Sequence, residues 1–138
     1  MRWEYSDGGR AASGFKGEVR DCVVRAIAIA AGRDYKLVYK ELREIAGRTP
    51  RNGVYKDHYK ILLARLGFEW VPTMKVGQGC RVHLREDELP GGHWLVVQAS
   101  RHLVAVKDGV AYDTNDPRRG GSRCVYGYWV AGEAVEVE

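Results

Sequence analysis

Residues 93–116 read HWLVVQASRHLVAVKDGVAYDTND, and the period of this stretch decides the fold. Three runs, HWLVVQA, HLVAVK and VAYDT, are rich in Val and aromatic residues and are divided by Ser100-Arg101 and Asp108-Gly109. Such residues fit a pleated, half-buried surface. Asp-Gly between two of these runs is a two-residue hairpin signal of type I′, which fixes the register. Residue 107 then pairs with 110, 106 with 111 and 102 with 115. Because side chains alternate, His102, Val104, Val106, Ala111, Asp113 and Asn115 share one face. His102 lies opposite Asn115 and diagonal to Asp113, within reach of either. A histidine with a carboxylate or amide on the adjacent strand has its tautomer fixed, as a general base requires. The register leaves Asp113 and Asn115 both open as that partner.

Outward from the hairpin, the same period continues. FEWVPTM, CRVHL and CVYGYWV are further short runs rich in Val, Tyr and Trp, and REDELPGG reads as one helical turn and a loop. Upstream the period changes to that of helices. Tyr35 to Ala46 places Tyr35, Val38, Tyr39, Leu42 and Ile45 three and four apart, with Asp34 to cap it and Gly47 to end it. Val54 to Leu66 repeats the pattern with Tyr55, Tyr59, Leu62, Leu63 and Leu66 inward. Helices first and strands afterwards predict one α+β domain over 1–138, with helices packed on one face of an antiparallel sheet. Residues 1–20 read as an irregular arm with one short strand near Trp3–Tyr5.

The remaining helix is the chemically interesting one. Asp21 is a good N-cap residue for CVVRAIAIAA, and Gly32 closes it. Apart from Arg25 the segment is apolar, which predicts a buried central helix. Cys22 falls in its first turn, where unpaired N–H groups and the positive dipole end lower a thiol pKa and favour a developing anion.

Composition bounds the rest. The chain has 138 residues, a net charge of +4 and three cysteines. No apolar run reaches about 18 residues, the length that spans a bilayer, and the N-terminus lacks the apolar centre of a signal peptide. An odd cysteine count without regular spacing fits a reducing cytoplasm. The modest positive charge permits nucleic-acid contact without favouring it, and an acidic partner surface explains it equally well. No Gly-Lys-Ser/Thr phosphate loop is present.

Rival candidates are weaker. His93 also opens a strand but lacks a partner at a defined register. Cys80 and His83 have metal-ligand spacing, with Cys124 and His58 as further donors. Positions 80 and 83 of one strand face opposite sides, so no metal and no other cofactor is expected. Cys80 and Cys124 read as core or strand residues, and His58 as solvated. Residues 118–123, RRGGSR, form a basic loop expected beside the site, suited to a carboxylate or phosphate or simply to water.

A lone cysteine in an apolar helix is commonly core, and a lone strand histidine is commonly structural. The combination in chain order carries the weight. Asp21-Cys22 at a central helix, His102-Leu103-Val104-Ala105-Val106 opening a strand, and Tyr112-Asp113-Thr114-Asn115-Asp116-Pro117 ending one resemble the papain-like cysteine peptidase superfamily. The resemblance is to its small bacterial and phage types, including bacteriocin-leader peptidase domains, and to uncharacterised phage-encoded proteins of this size. It implies a papain-like fold in a bacterial host cytoplasm, with Cys22 as nucleophile, His102 as base, and Asp113 or Asn115 as the orienting residue. Where that superfamily carries a Gln before the nucleophile, this chain has Lys16, which the resemblance makes an oxyanion donor alongside the Cys22 backbone N–H. The implied activity is hydrolysis of peptide, isopeptide or amide bonds in a protein or peptide substrate. The other reading is a catalytically weak papain-like scaffold that binds protein or nucleic acid as a phage accessory factor. Oligomeric state is not legible.

Overall fold

The computed structural model describes residues 1–16 and 20–132. Its elements follow the order strand, three helices, six strands. They are β1 (Arg2–Tyr5), α1 (Cys22–Ala31), α2 (Tyr35–Ala46), α3 (Lys56–Arg65), β2 (Phe68–Pro72), β3 (Val82–His83), β4 (Leu95–Ala99), β5 (His102–Lys107), β6 (Val110–Asp113) and β7 (Cys124–Ala131). The segment read as a single helical turn is a 3₁₀ turn at Glu86–Glu88. The fold class is α+β, as expected.

The strands form one sheet ordered β1-β6-β5-β4-β7-β2, with β3 also on β7. All pairs are antiparallel except β1 with β6. The Asp108-Gly109 turn has positive φ at both residues, 48° and 76°, as type I′ geometry demands. Lys107 pairs with Val110, Val106 with Ala111 and Ala105 with Tyr112, in the register the turn predicts. Beyond that pair the ladder ends.

The two faces of the sheet bury separate clusters. Val96, Leu103 and Ala105 pack with α1, α2 and α3. Leu95, Val97, Val104, Val106, Ala111 and Val125 pack beneath Leu84 on the other face. Alternate residues of β4 and β5 thus serve opposite cores, which is why these strands read as nearly continuous apolar runs. In α1, Val24 and Ile27 have no exposed surface, and burying each contributes roughly 1.5–3 kcal/mol. Gly127 sits within β7 beneath Trp70, where a Cβ would come 2.2 Å from the ring.

Several expectations are corrected. The short strand expected near Trp3–Tyr5 is β1, which pairs in parallel with β6. α3 begins at Lys56, two residues later than Val54. Neither Asp21 nor Asp34 caps its helix through the side chain. His58 is half-buried rather than solvated, its Nδ1 without a partner and its ring 6.2 Å from Tyr55. Cys80 and Cys124 are joined by a disulfide, so the odd count conceals a pair and leaves Cys22 free. That pairing removes the support that cysteine parity lent to a reducing compartment. No helix among the described residues is long and apolar enough to cross a membrane.

The disulfide closes a separation of 44 residues, for which the chain-entropy account gives about 4 kcal/mol. Reduction, or Cys124→Ser, should lower the unfolding free energy by roughly 2–4 kcal/mol in urea titrations. An unchanged midpoint after reduction would show that the bond is not formed.

Candidate active site

Cys22 opens α1, His102 opens β5 and Asp113 closes β6. The sheet brings all three to one end. His102 Nε2 lies 2.5 Å from Asp113 Oδ2. Cys22 and His102 line one cavity, and the imidazole and the Leu103 backbone act on the thiol. With Nε2 engaged by the carboxylate, Nδ1 is the ring nitrogen left to serve the sulfur.

Of the two candidates for orienting residue, the fold brings Asp113 to the ring. After Tyr112 the β5–β6 ladder has ended, and Thr114 donates its N–H to Asp113 Oδ1. Asn115 is exposed, and its amide reaches only Thr114 Oγ1 at 3.5 Å. The diagonal partner wins because the backbone turns away before the opposite one is reached.

A buried ionic network stands behind the triad. Asp21, Arg25 and Asp113 are 0%, 7% and 4% exposed. Arg25 donates from Nη1 to Asp21 Oδ1 and from Nη2 to Asp113 Oδ1, the latter at 3.1 Å. Arg10 adds a 3.0 Å bond to Asp21 Oδ1, and the Tyr35 hydroxyl donates to Oδ2 at 2.7 Å. The sequence reading passed over Arg25 as the exception in an apolar helix. The available signal was Asp21 four residues before it, because a buried arginine requires buried counter-charge. Arg123, read as part of the basic loop, instead donates to the Ser100 carbonyl and holds the turn that precedes His102.

These contacts set the charges. Burial pushes the Cys22 thiol up, but the hydrogen bond and charge of His102, the Leu103 N–H and Arg25 outweigh it, and the thiol falls below its ordinary value. Burial pushes the His102 imidazole down, yet Asp113 and Cys22 together raise it to about 9. Asp113 is lowered: burial opposes its charge, while His102, Arg25 and the Thr114 N–H favour it. The shifts run toward charge separation, Cys22 toward thiolate and His102 toward imidazolium, with Asp113 ionised.

Asp21, drawn into the network, does not occupy the start of α1. The first intrahelical bond is Arg25 N–H to the Asp21 carbonyl, so the N–H groups of residues 22–24 precede the helical ladder. Lys16, the other expected oxyanion donor, lines a separate depression with Phe15 and Asp7. His93 is exposed and precedes β4. Arg118 and Gly120 of the basic loop line a third cavity, with Arg118 bound to Asp116 and to the Met1 carbonyl. Among the described residues no three His, Cys, Asp or Glu side chains cluster as a metal would need.

Cys22, His102 and Leu103 open into a cavity of about 840 Å³, walled by the start of α3, the 52–55 loop and the β4–β5 turn. No protein-family model, curated protein or solved structure matches the chain.

Two outcomes test this geometry. Alkylation of Cys22 by iodoacetamide should reach its plateau rate well below about pH 8, where an ordinary thiol is still protonated. His102→Ala should move that plateau up toward free-thiol behaviour, and a wild-type profile like that of free cysteine would refute an activated pair. Separately, Arg25→Met strands Asp21 and Asp113 and should cost about 3–5 kcal/mol in denaturant titrations, against about 0–1 kcal/mol for the exposed Lys60→Met.

Proposed function

We propose that the chain is a papain-like thiol hydrolase that cleaves peptide, isopeptide or amide bonds. The single observation that carries this reading is the 2.5 Å pairing of Asp113 Oδ2 with the ring of His102, which shares one substrate-sized cavity with Cys22. The arrangement of a nucleophile-bearing helix packed on a sheet whose adjacent strands carry base and acid supports the papain-like assignment.

The thiolate of Cys22 attacks the substrate carbonyl carbon, forming the C–S bond and moving the carbonyl π pair onto oxygen. The N–H groups at the start of α1 hold that oxyanion. As the carbonyl re-forms, the C–N bond breaks, and His102 gives its proton to the departing amine. The neutral imidazole then takes a proton from water, and the resulting hydroxide equivalent attacks the thioester. Carboxylic acid leaves, and thiolate and imidazolium return. Asp113 stays ionised throughout and holds the ring, and Arg25 holds Asp113.

One observation favours the reading as a binding scaffold: Lys16 lies outside the cavity, so the oxyanion rests on backbone N–H groups alone. Acylation by an activated ester separates the two. A hydrolase gives a burst followed by steady turnover, whereas a scaffold acylates slowly or not at all.

The pH dependence follows from the signs. Thiolate is present above the lowered pKa of Cys22, and imidazolium persists up to about 9. Hydrolysis should therefore rise on the acid side as Cys22 ionises and fall as pH passes through about 9, while alkylation stays on its plateau there. Cys22→Ala should abolish hydrolysis, and Asp113→Ala should lower kcat strongly and shift the alkaline limb to lower pH. Hydrolysis that survives Cys22→Ala would overturn the proposal.

A further inference from the structure

The wall of the Cys22 cavity has a charge pattern that the chemistry at sulfur does not need. Its charged residues are Arg20, Arg25, Lys56 and Arg101, and among the described residues no Asp or Glu lines it. Arg25 is spent on Asp21 and Asp113. The other three are exposed. Asp57, adjacent to Lys56 in sequence, pairs with Lys60 at 3.4 Å instead. Lys56 is held in place by aromatic faces, its Nζ 4.0 Å from the Trp70 ring centroid and 5.5 Å from that of Trp129. Arg101 adjoins His102 and is fixed in a left-handed backbone conformation, φ 54°. Lys56 is thus anchored, and Arg20 and Arg101 stand on the same wall as the nucleophile.

A second observation concerns the nature of the ligand. Gln98 also lines this cavity, and its side-chain Oε1 is buried without a hydrogen-bond donor. The half-buried carboxamide, turned outward, presents an acceptor to a ligand N–H in the cavity. Peptide main chain supplies such donors at every residue. Cation for carboxylate and acceptor for amide N–H together describe an acidic peptide.

We propose that the cavity selects a peptide acyl donor bearing an Asp or Glu side chain next to the scissile carbonyl, its carboxylate held by Arg101, Lys56 and Arg20 and a main-chain N–H held by Gln98. This inference rests on the thiol-hydrolase reading and names the substrate class of that site.

The test uses peptidyl chloromethyl ketones that differ only in one residue, Glu, Gln or Lys. Each labels Cys22 without requiring turnover: the Sγ–CH₂ bond forms, the C–Cl bond breaks and chloride leaves. Intact-mass spectrometry gives the labelling rates. The Glu probe should label several-fold to about tenfold faster than the Gln probe, the equivalent of one charge-assisted hydrogen bond. The Lys probe should be slowest, and the Glu preference should shrink as salt rises. Arg101→Glu with Lys56→Glu should reverse the order of Glu and Lys probes. Gln98→Leu should slow all three probes alike.

Failure of the inference and failure of the reading beneath it differ in kind. An activated iodoacetamide profile with equal rates for the three probes overturns the acidic preference alone. A free-thiol iodoacetamide profile overturns the reading. Protection of Cys22 by a short single-stranded oligonucleotide, with no Glu preference, overturns the proposal in favour of nucleic acid.

Discussion

The guanidinium of Arg25 is the group on which the site depends. It is almost fully buried and donates to two carboxylates from different parts of the fold, Asp21 before α1 and Asp113 at the end of β6. Through Asp21 it reaches the arm by way of Arg10 and α2 by way of Tyr35. Through Asp113 it reaches His102 and then Cys22. A buried ion pair of this kind does not stabilise a fold relative to well-packed hydrocarbon, because desolvation offsets most of the Coulombic gain. Its Nε–H even lacks a partner. What it supplies is definition: two buried carboxylates admit one arrangement around one fork, so helix and hairpin can meet in one relative position. The energy is spent on geometry.

The same network explains why the start of α1 is open. Asp21 stands where a capping carboxylate would, and a capped helix would have its first N–H groups occupied. Arg25, Arg10 and Tyr35 take both carboxylate oxygens, so the side chain supplies no cap. The helix forgoes the ~1 kcal/mol that a cap contributes, and its first N–H groups receive no cap from the Asp21 side chain. Local propensity and the buried network conflict here, and the network prevails.

That conflict marks the limit of what could be read from residues. The Asp108-Gly109 turn specified the hairpin register because type I′ geometry leaves no freedom, and Tyr35–Ala46 was legible from its spacing and terminal Gly47. Cys22 and His102 were legible from their positions at the starts of elements. The choice of Asp113 over Asn115 was not, because it depends on where the β5–β6 ladder stops, and no residue of the hairpin signals that point. The role of Arg25 was legible in principle from Asp21 at the preceding turn, yet its second partner lies 88 positions away. The disulfide was hidden for a similar reason, since Cys80 and Cys124 meet only once β3 pairs with β7.

The disulfide also bears on the imidazole from the side opposite Arg25. It anchors the first residue of β7, and the residue before it, Arg123, donates to the Ser100 carbonyl. Ser100 begins the tight turn into β5 whose second residue, Arg101, is held at positive φ. His102 follows directly. The ring is thus held at its Nε2 edge by Asp113 and through its backbone by a turn tied to the cross-linked edge of the sheet. An imidazole fixed from both directions has little room to adjust. On the proposed hydrolase reading, discrimination between substrates then falls to the cavity wall, where Arg101 is carried by that same turn and Lys56 stands on its two indoles.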